Sequence, residues 1–122
     1  MNTSEKKIMI IENDEMTIEI LKFILKKEGY KISIAKDGIN AIERMATIMP
    51  DLVITTITIP LKSGLEIISH IKKNFKDIRV VALSSLGEEE NTVEEAFELG
   101  VDDFIAKPFN PNELLLRIKR FL

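Results

Sequence analysis

Lys7-Ile8-Met9-Ile10-Ile11-Glu12-Asn13-Asp14 decides the fold. Ile8 to Ile11 is apolar without a break and too short for a helix, the pattern of a strand covered on both faces (β1, residues 8–11). Downstream, Met16, Ile20, Leu21, Ile24 and Leu25 recur at helical spacing and Gly29 supplies a left-handed stop, which predicts helix α1 over residues 15–28. Asn13 is read as its N-cap. Residues 32–34 alternate as an edge strand does (β2). Asp37-Gly38 turns the chain, and Ala41, Ile42, Met45 and Ile48 make α2, over residues 41–48, closed by Pro50.

The alternation continues to the end of the chain. Residues 52–57 are rich in β-branched side chains (β3) and lead through a loop holding Pro60 to Ser63 and Glu66. Those two form a capping box that starts α3, with Ile67, Ile68, Ile71 and Phe75 turned inward. Residues 79–83 are β4. Glu88, Glu89 and Glu90 favour a helix start through the macrodipole, Val93, Ala96 and Phe97 mark a buried face, and Gly100 ends the helix (α4, residues 88–99). Residues 103–106 are β5. Asn110-Pro111-Asn112-Glu113 offers an N-cap, a proline at the first helical position and a glutamate at the third, so α5 covers residues 111–122 through Leu114, Leu115, Ile118 and Leu122. Strands alternating with helices, joined by right-handed crossovers, predict a doubly wound parallel sheet in a single domain over residues 1–122. Such a sheet binds at the carboxyl ends of its strands. The polar residues placed there are Glu12, Asn13 and Asp14 after β1, Thr56 on β3, Ser84 and Ser85 after β4, and Lys107 after β5.

Composition narrows the function. A chain of 122 residues with 45% hydrophobic content can bury a core without disulfides or a metal, and the absence of cysteine excludes thiolate zinc sites and cysteine nucleophiles. Lys+Arg 17 against Asp+Glu 20 gives a net charge of −3, so no positive field exists for a nucleic-acid backbone or an anionic membrane. No stretch approaches the roughly 18 apolar residues of a membrane span. The expectation is a soluble cytoplasmic domain with no direct nucleic-acid or membrane partner.

Several stretches together resemble the receiver domain of two-component response regulators. They are Lys7 to Asp14, Glu28-Gly29-Tyr30, Ala35-Lys36-Asp37-Gly38, Pro50 to Ile54, Gly64-Leu65-Glu66, and Gly100-Val101-Asp102-Asp103-Phe104-Ile105-Ala106-Lys107-Pro108-Phe109. The resemblance implies a flavodoxin-like (βα)5 three-layer α/β sandwich with strand order 2-1-3-4-5, a signalling role in a phosphorelay, and no enzymatic turnover. In that family a carboxylate at the end of β3 accepts a phosphoryl group, acidic residues after β1 hold Mg²⁺, and a hydroxyl after β4 and a lysine after β5 grip the phosphoryl oxygens. Carried over, Ser84 takes the hydroxyl-switch position, Phe104 the aromatic-switch position and Lys107 the lysine position, with Lys107-Pro108 implied to be cis.

The central positions depart from the pattern. Thr56 stands where the family has its phosphoacceptor aspartate, Glu12 and Asn13 stand at the acidic pair, and Ser63 replaces an aspartate before the glycine of α3. Asp51 cannot substitute, because it lies at the opposite end of β3. The expectation is a pseudo-receiver acting as a phosphorylation-independent interaction module for a sensor kinase or output protein. No cofactor is expected, and Mg²⁺ binding is weak or lost, with Glu12 its remaining point of attachment. Two further readings stand beside it: a phosphorylated receiver whose acceptor is Asp14 or Glu12, and a pocket of Thr56, Ser84 and Lys107 that takes an anion or metabolite.

With Thr56 neutral, Glu12 is the expected counterion of Lys107. His70, the only histidine, reads as a surface residue. The last stretch resembles receivers of winged-helix transcription factors, which dimerise through α4, β5 and α5. That implies Asp102 and Asp103 as acids and Arg117 and Lys119 as bases across a homodimer, with intramolecular pairing the competing reading. One of Leu114, Leu115 and Leu116 is expected to face outward.

Overall fold

β1 (Lys7–Ile11) pairs in parallel with β2 (Lys31–Ala35) on one side and β3 (Leu52–Thr56) on the other. β4 (Arg79–Ser85) continues from β3, and β5 (Asp103–Lys107) closes the far edge, giving the order β2-β1-β3-β4-β5. The computed structural model describes residues 5–85 and 90–122, Glu90 in its backbone only. This is the flavodoxin-like arrangement expected, with β2 an edge strand. Helices α1 (Glu15–Lys27), α2 (Gly38–Ile48), α3 (Gly64–Asn74), α4 (Glu90–Glu98) and α5 (Pro111–Lys119) form the outer layers.

The unbroken apolarity of β1 has a simple cause. Met9 and Ile11 face one core with Val53, Val80 and Ala82, closed by Ala41 and Met45 of α2, Ile67, Ile68 and Ile71 of α3, and Ala96 of α4. Ile8 and Ile10 face the other with Leu52, Ile54 and Leu83, closed by Leu21 and Leu25 of α1 and Leu114 and Ile118 of α5. Both faces of the strand are dry, so its residues alternate in direction without alternating in polarity.

Local chemistry ends most helices as read. Ser63 and Glu66 form the reciprocal capping box of α3, and Asn110 caps α5 with Pro111 in its first turn. Four readings are corrected. The N-cap of α1 is Asp14, not Asn13: its carboxylate accepts from the Thr17 amide at 2.9 Å and from the Thr17 hydroxyl at 2.6 Å. Met16 and Ile20 lie outside the core, because the buried stripe of α1 is Ile18, Leu21 and Leu25. Phe97 is 49% exposed on α4, where Ala96 makes the inward contact. Helix α5 ends at Lys119 rather than running to Leu122. Glu88 and Glu89, read as part of the α4 start, lie outside the described residues.

Candidate functional site

Three strand ends supply a polar cluster at the carboxyl edge of the sheet. Glu12 follows β1 directly and is buried, and its Oε2 accepts from the backbone amides of Asn13 and Asp14 at 3.1 and 3.2 Å. Its Oε1 accepts from Lys107 Nζ at 2.7 Å, across 95 residues of sequence. The same Nζ donates to Thr56 Oγ1 at 3.2 Å. The lysine therefore has the carboxylate partner expected of a largely buried ammonium, and the threonine hydroxyl is its second acceptor.

Thr56 reaches this point because β3 is buried along its whole length, and the chain then turns tightly into α3. Gly64 donates to the Ile57 carbonyl at 2.8 Å, and a Cβ on Gly64 would stand 2.5 Å from the Thr56 carbonyl oxygen. Only glycine lets the start of α3 approach the end of β3 so closely. The peptide between Lys107 and Pro108 is cis. Asp14 sits beside the pair on the exposed rim. Hydrogen bonds from the Thr17 hydroxyl and amide, aided by the nearby Lys107 charge, hold its carboxyl below the usual carboxylate range.

The other expected residues make contacts of their own. Ser84 is buried, and its hydroxyl donates to the Ser85 carbonyl at 3.3 Å. Phe104 packs toward α4, its ring 6.4 Å from that of Phe97. Asn13 is exposed. His70 is half-buried on α3, its ring 5.8 Å from Phe75 and its Nδ1 3.3 Å from the Asn74 amide nitrogen. Asp51 is at the far end of β3, accepting from the Lys7 amide at 2.8 Å. Among the described residues no group of three or more His, Asp or Glu side chains is placed to hold a metal ion.

The four charges at the β5–α5 face all pair within one chain. Arg117 grips Asp103 with Nε at 2.9 Å and a terminal nitrogen at 2.6 Å. Asp102 accepts from Lys72, Arg79 and the Val80 amide, and Lys119 pairs with Glu28 at 2.9 Å. Sequence reasoning did not find Lys72, Arg79 or Glu28, because each belongs to an element distant in the chain. Leu116 is the outward-facing leucine, 68% exposed, while Leu114 is buried.

Residues 8–119 match the family described as the response regulator receiver domain. The chain belongs to that family. This receiver is 36% identical over 116 residues to the phosphate regulon transcriptional regulatory protein PhoB of Escherichia coli (strain K12), covering 93% of this chain and 50% of that one. It is 34% identical over 120 residues to the transcriptional regulatory protein ResD of Bacillus subtilis (strain 168), covering 98% and 49%. The receiver spans about half the length of the curated relatives it matches. A CheY-like receiver domain protein from Methanospirillum hungatei superposes with TM-score 0.88 at 28% identity, covering 96% and 93% of the two chains. The signal receiver domain of a histidine kinase from Syntrophus aciditrophicus gives 0.87 at 30% identity, covering 96% and 89%. Receivers of this family are signalling modules of two-component systems. No helix among the described residues is long and apolar enough to cross a membrane.

Proposed function

We propose that this receiver acts as a phosphorylation-independent interaction module in a two-component pathway, with Thr56 in the place of the phosphoacceptor aspartate. The observation that carries the reading is the shell of Lys107: a buried Glu12 carboxylate at 2.7 Å and a neutral Thr56 hydroxyl at 3.2 Å. An acyl phosphate forms when an ionised carboxylate attacks phosphorus while cations neutralise the transferring group. A threonine alcohol has no such charge, and the one histidine of the chain is engaged with Asn74 and Phe75 instead of serving as its base.

The residues present do not fit the Mg²⁺ that the family uses. Both Glu12 oxygens are taken, one by Lys107 and the other by two backbone amides, and Asp14 is tied to Thr17. Asn13 offers only an amide, whereas Mg²⁺ favours carboxylate oxygens in strict octahedral geometry. No step is therefore routed through a metal. Ser84 and Phe104, at the family's switch positions, would then keep one arrangement, with the Glu12–Lys107 pair holding the site as it is. The partners fitting this reading are a sensor kinase or an output protein that recognises the fixed state.

Intact-mass spectrometry after incubation with acetyl phosphate and Mg²⁺ tests it, on the parent and on Thr56→Asp/Asn13→Asp. A phosphoryl adduct on the double variant alone is the expected result. An adduct on the parent would overturn the reading and move the acceptor to Asp14 or Glu12.

A further inference from the structure

β2 ends the sheet on its side, with β1 for its strand neighbour. The Lys31 amide donates to the Lys6 carbonyl and the Ala35 carbonyl accepts from the Glu12 amide, so Lys31, Ser33 and Ala35 direct their backbone groups to β1. Alternation then turns the amides and carbonyls of Ile32 and Ile34 outward, to where a further strand would lie. Arg44 of α2 confirms the direction, because its guanidinium reaches the Ile34 carbonyl at 2.6 Å. Among the described residues the Ile32 and Ile34 amides and the Ile32 carbonyl have no partner. An edge open in this way is a template for another extended chain.

The side chains beside the edge indicate what that chain carries. Lys7 and Lys31 are register partners on neighbouring strands, so they leave the same face of the sheet side by side, and like charges so placed repel. Lys7 Nζ donates to the Ile48 carbonyl at 3.3 Å, and neither ammonium has a carboxylate partner among the described residues. The Asp51 carboxylate turns instead to the Lys7 backbone amide at 2.8 Å. Both lysines line a groove of about 240 Å³ between β2 and the end of α2. Ile32 and Ile48 supply its apolar lining, and the hydroxyls of Ser33 and Thr47 face it without a protein partner among the described residues. A strand added to β2 places alternate side chains over this groove, where a carboxylate meets two ammoniums at once. A second β2 cannot supply one, since Lys31-Ile32-Ser33-Ile34-Ala35 contains no acid.

We propose that the outer edge of β2, with the groove beside it, is a docking site for an extended acidic segment of another protein, which joins the sheet as a strand and sets a carboxylate between Lys7 and Lys31. Arg44 covers the upper end of the edge, so the contact is short and belongs to the weak, reversible class. It starts from the amino ends of β1 and β2, whereas Glu12, Thr56 and Lys107 lie at the carboxyl edge of the sheet.

Amide hydrogen exchange followed by NMR on the whole isotope-labelled chain tests this. The probe is the synthetic peptide acetyl-Thr-Val-Glu-Val-Glu-Val-Thr-amide, compared with a counterpart that has lysine at both glutamates. The acidic probe slows exchange at Ile32 and Ile34 about tenfold or more and leaves Ser33 and Ala35, already bonded to β1, as they were. Lys31→Glu, shown to be folded by circular dichroism, binds the acidic probe about tenfold more weakly and takes the lysine probe in its place. Unchanged exchange at Ile32 and Ile34 with the acidic probe at up to about 2 mM overturns the proposal. So does protection that survives Lys31→Glu, or that the lysine probe gives equally on the parent. Protection that rises with protein concentration in the absence of any probe also overturns it, because the occupant is then a second copy of β2.

Discussion

Asp103 is buried where β5 meets α5, and Arg117 keeps it ionised there. Burial pushes its carboxyl up, but hydrogen bonds from Arg117 and the Phe104 amide, with the charges of Arg117 and Arg120, outweigh burial and bring it below the ordinary value. The same contact raises the Arg117 guanidinium, chiefly through its hydrogen bonds to Asp103. The sign of the pH effect follows. A carboxyl that is more acidic folded than unfolded adds stability that is complete above its unfolded value of about 3.9 and lost as pH falls through the folded value. Asp103→Asn should therefore cost about 1–2 kcal/mol at pH 7, reduced because Arg117 is a third exposed, and the gap to the parent should close below about pH 4. Urea unfolding of both proteins at pH 7, 5 and 3 reads it; a gap independent of pH would contradict the assignment.

Among the described residues, two non-glycine residues have positive φ, Leu61 at 74° in the β3–α3 loop and Met49 at 48° at the end of α2. Leu61 is 69% exposed, so its side chain contributes little packing to offset an unfavourable backbone. Its place is dictated by its neighbours: the Gly38 amide donates to the Pro60 carbonyl at 2.9 Å, and Gly38 packs directly on Lys62. Leu61→Asn, which tolerates the left-handed region, should stabilise the fold by about 0.5–1 kcal/mol, seen as a higher Tm. Helix ends were largely legible at this scale because a cap is a contact between near neighbours. Ser63 with Glu66 and Asn110 with Pro111 needed only the next few residues. Asn13, read as the cap of α1, gives way to its neighbour Asp14, since both residue types are good caps. Asp14 is the one whose carboxylate meets Thr17, while the Asn13 and Asp14 amides are held by Glu12.

The sheet divides the molecule into two cores that share no side chain among the described residues. Ile67, fully buried under α3, and Ile118, fully buried under α5, lie on opposite faces. Ile67→Val and Ile118→Val should each cost about 1 kcal/mol, and the double variant should show their sum within about 0.5 kcal/mol in urea unfolding. A coupling well above that would mean the sheet transmits strain between its faces. Architecture was legible because an apolar run such as Ile8 to Ile11, a helical stripe such as Ile67, Ile68 and Ile71, and a cap are all local patterns that burial and backbone geometry impose on neighbours in sequence. The site was legible only as a set of strand ends. That Glu12 and Thr56 share the Lys107 ammonium, that Arg117 turns to Asp103 within its own chain, and that α1 buries Ile18 while leaving Met16, Ile20 and Phe23 outside were decided by tertiary structure alone. Ion pairs and the choice between two apolar stripes depend on distances across the sheet, and no spacing along the chain records those distances.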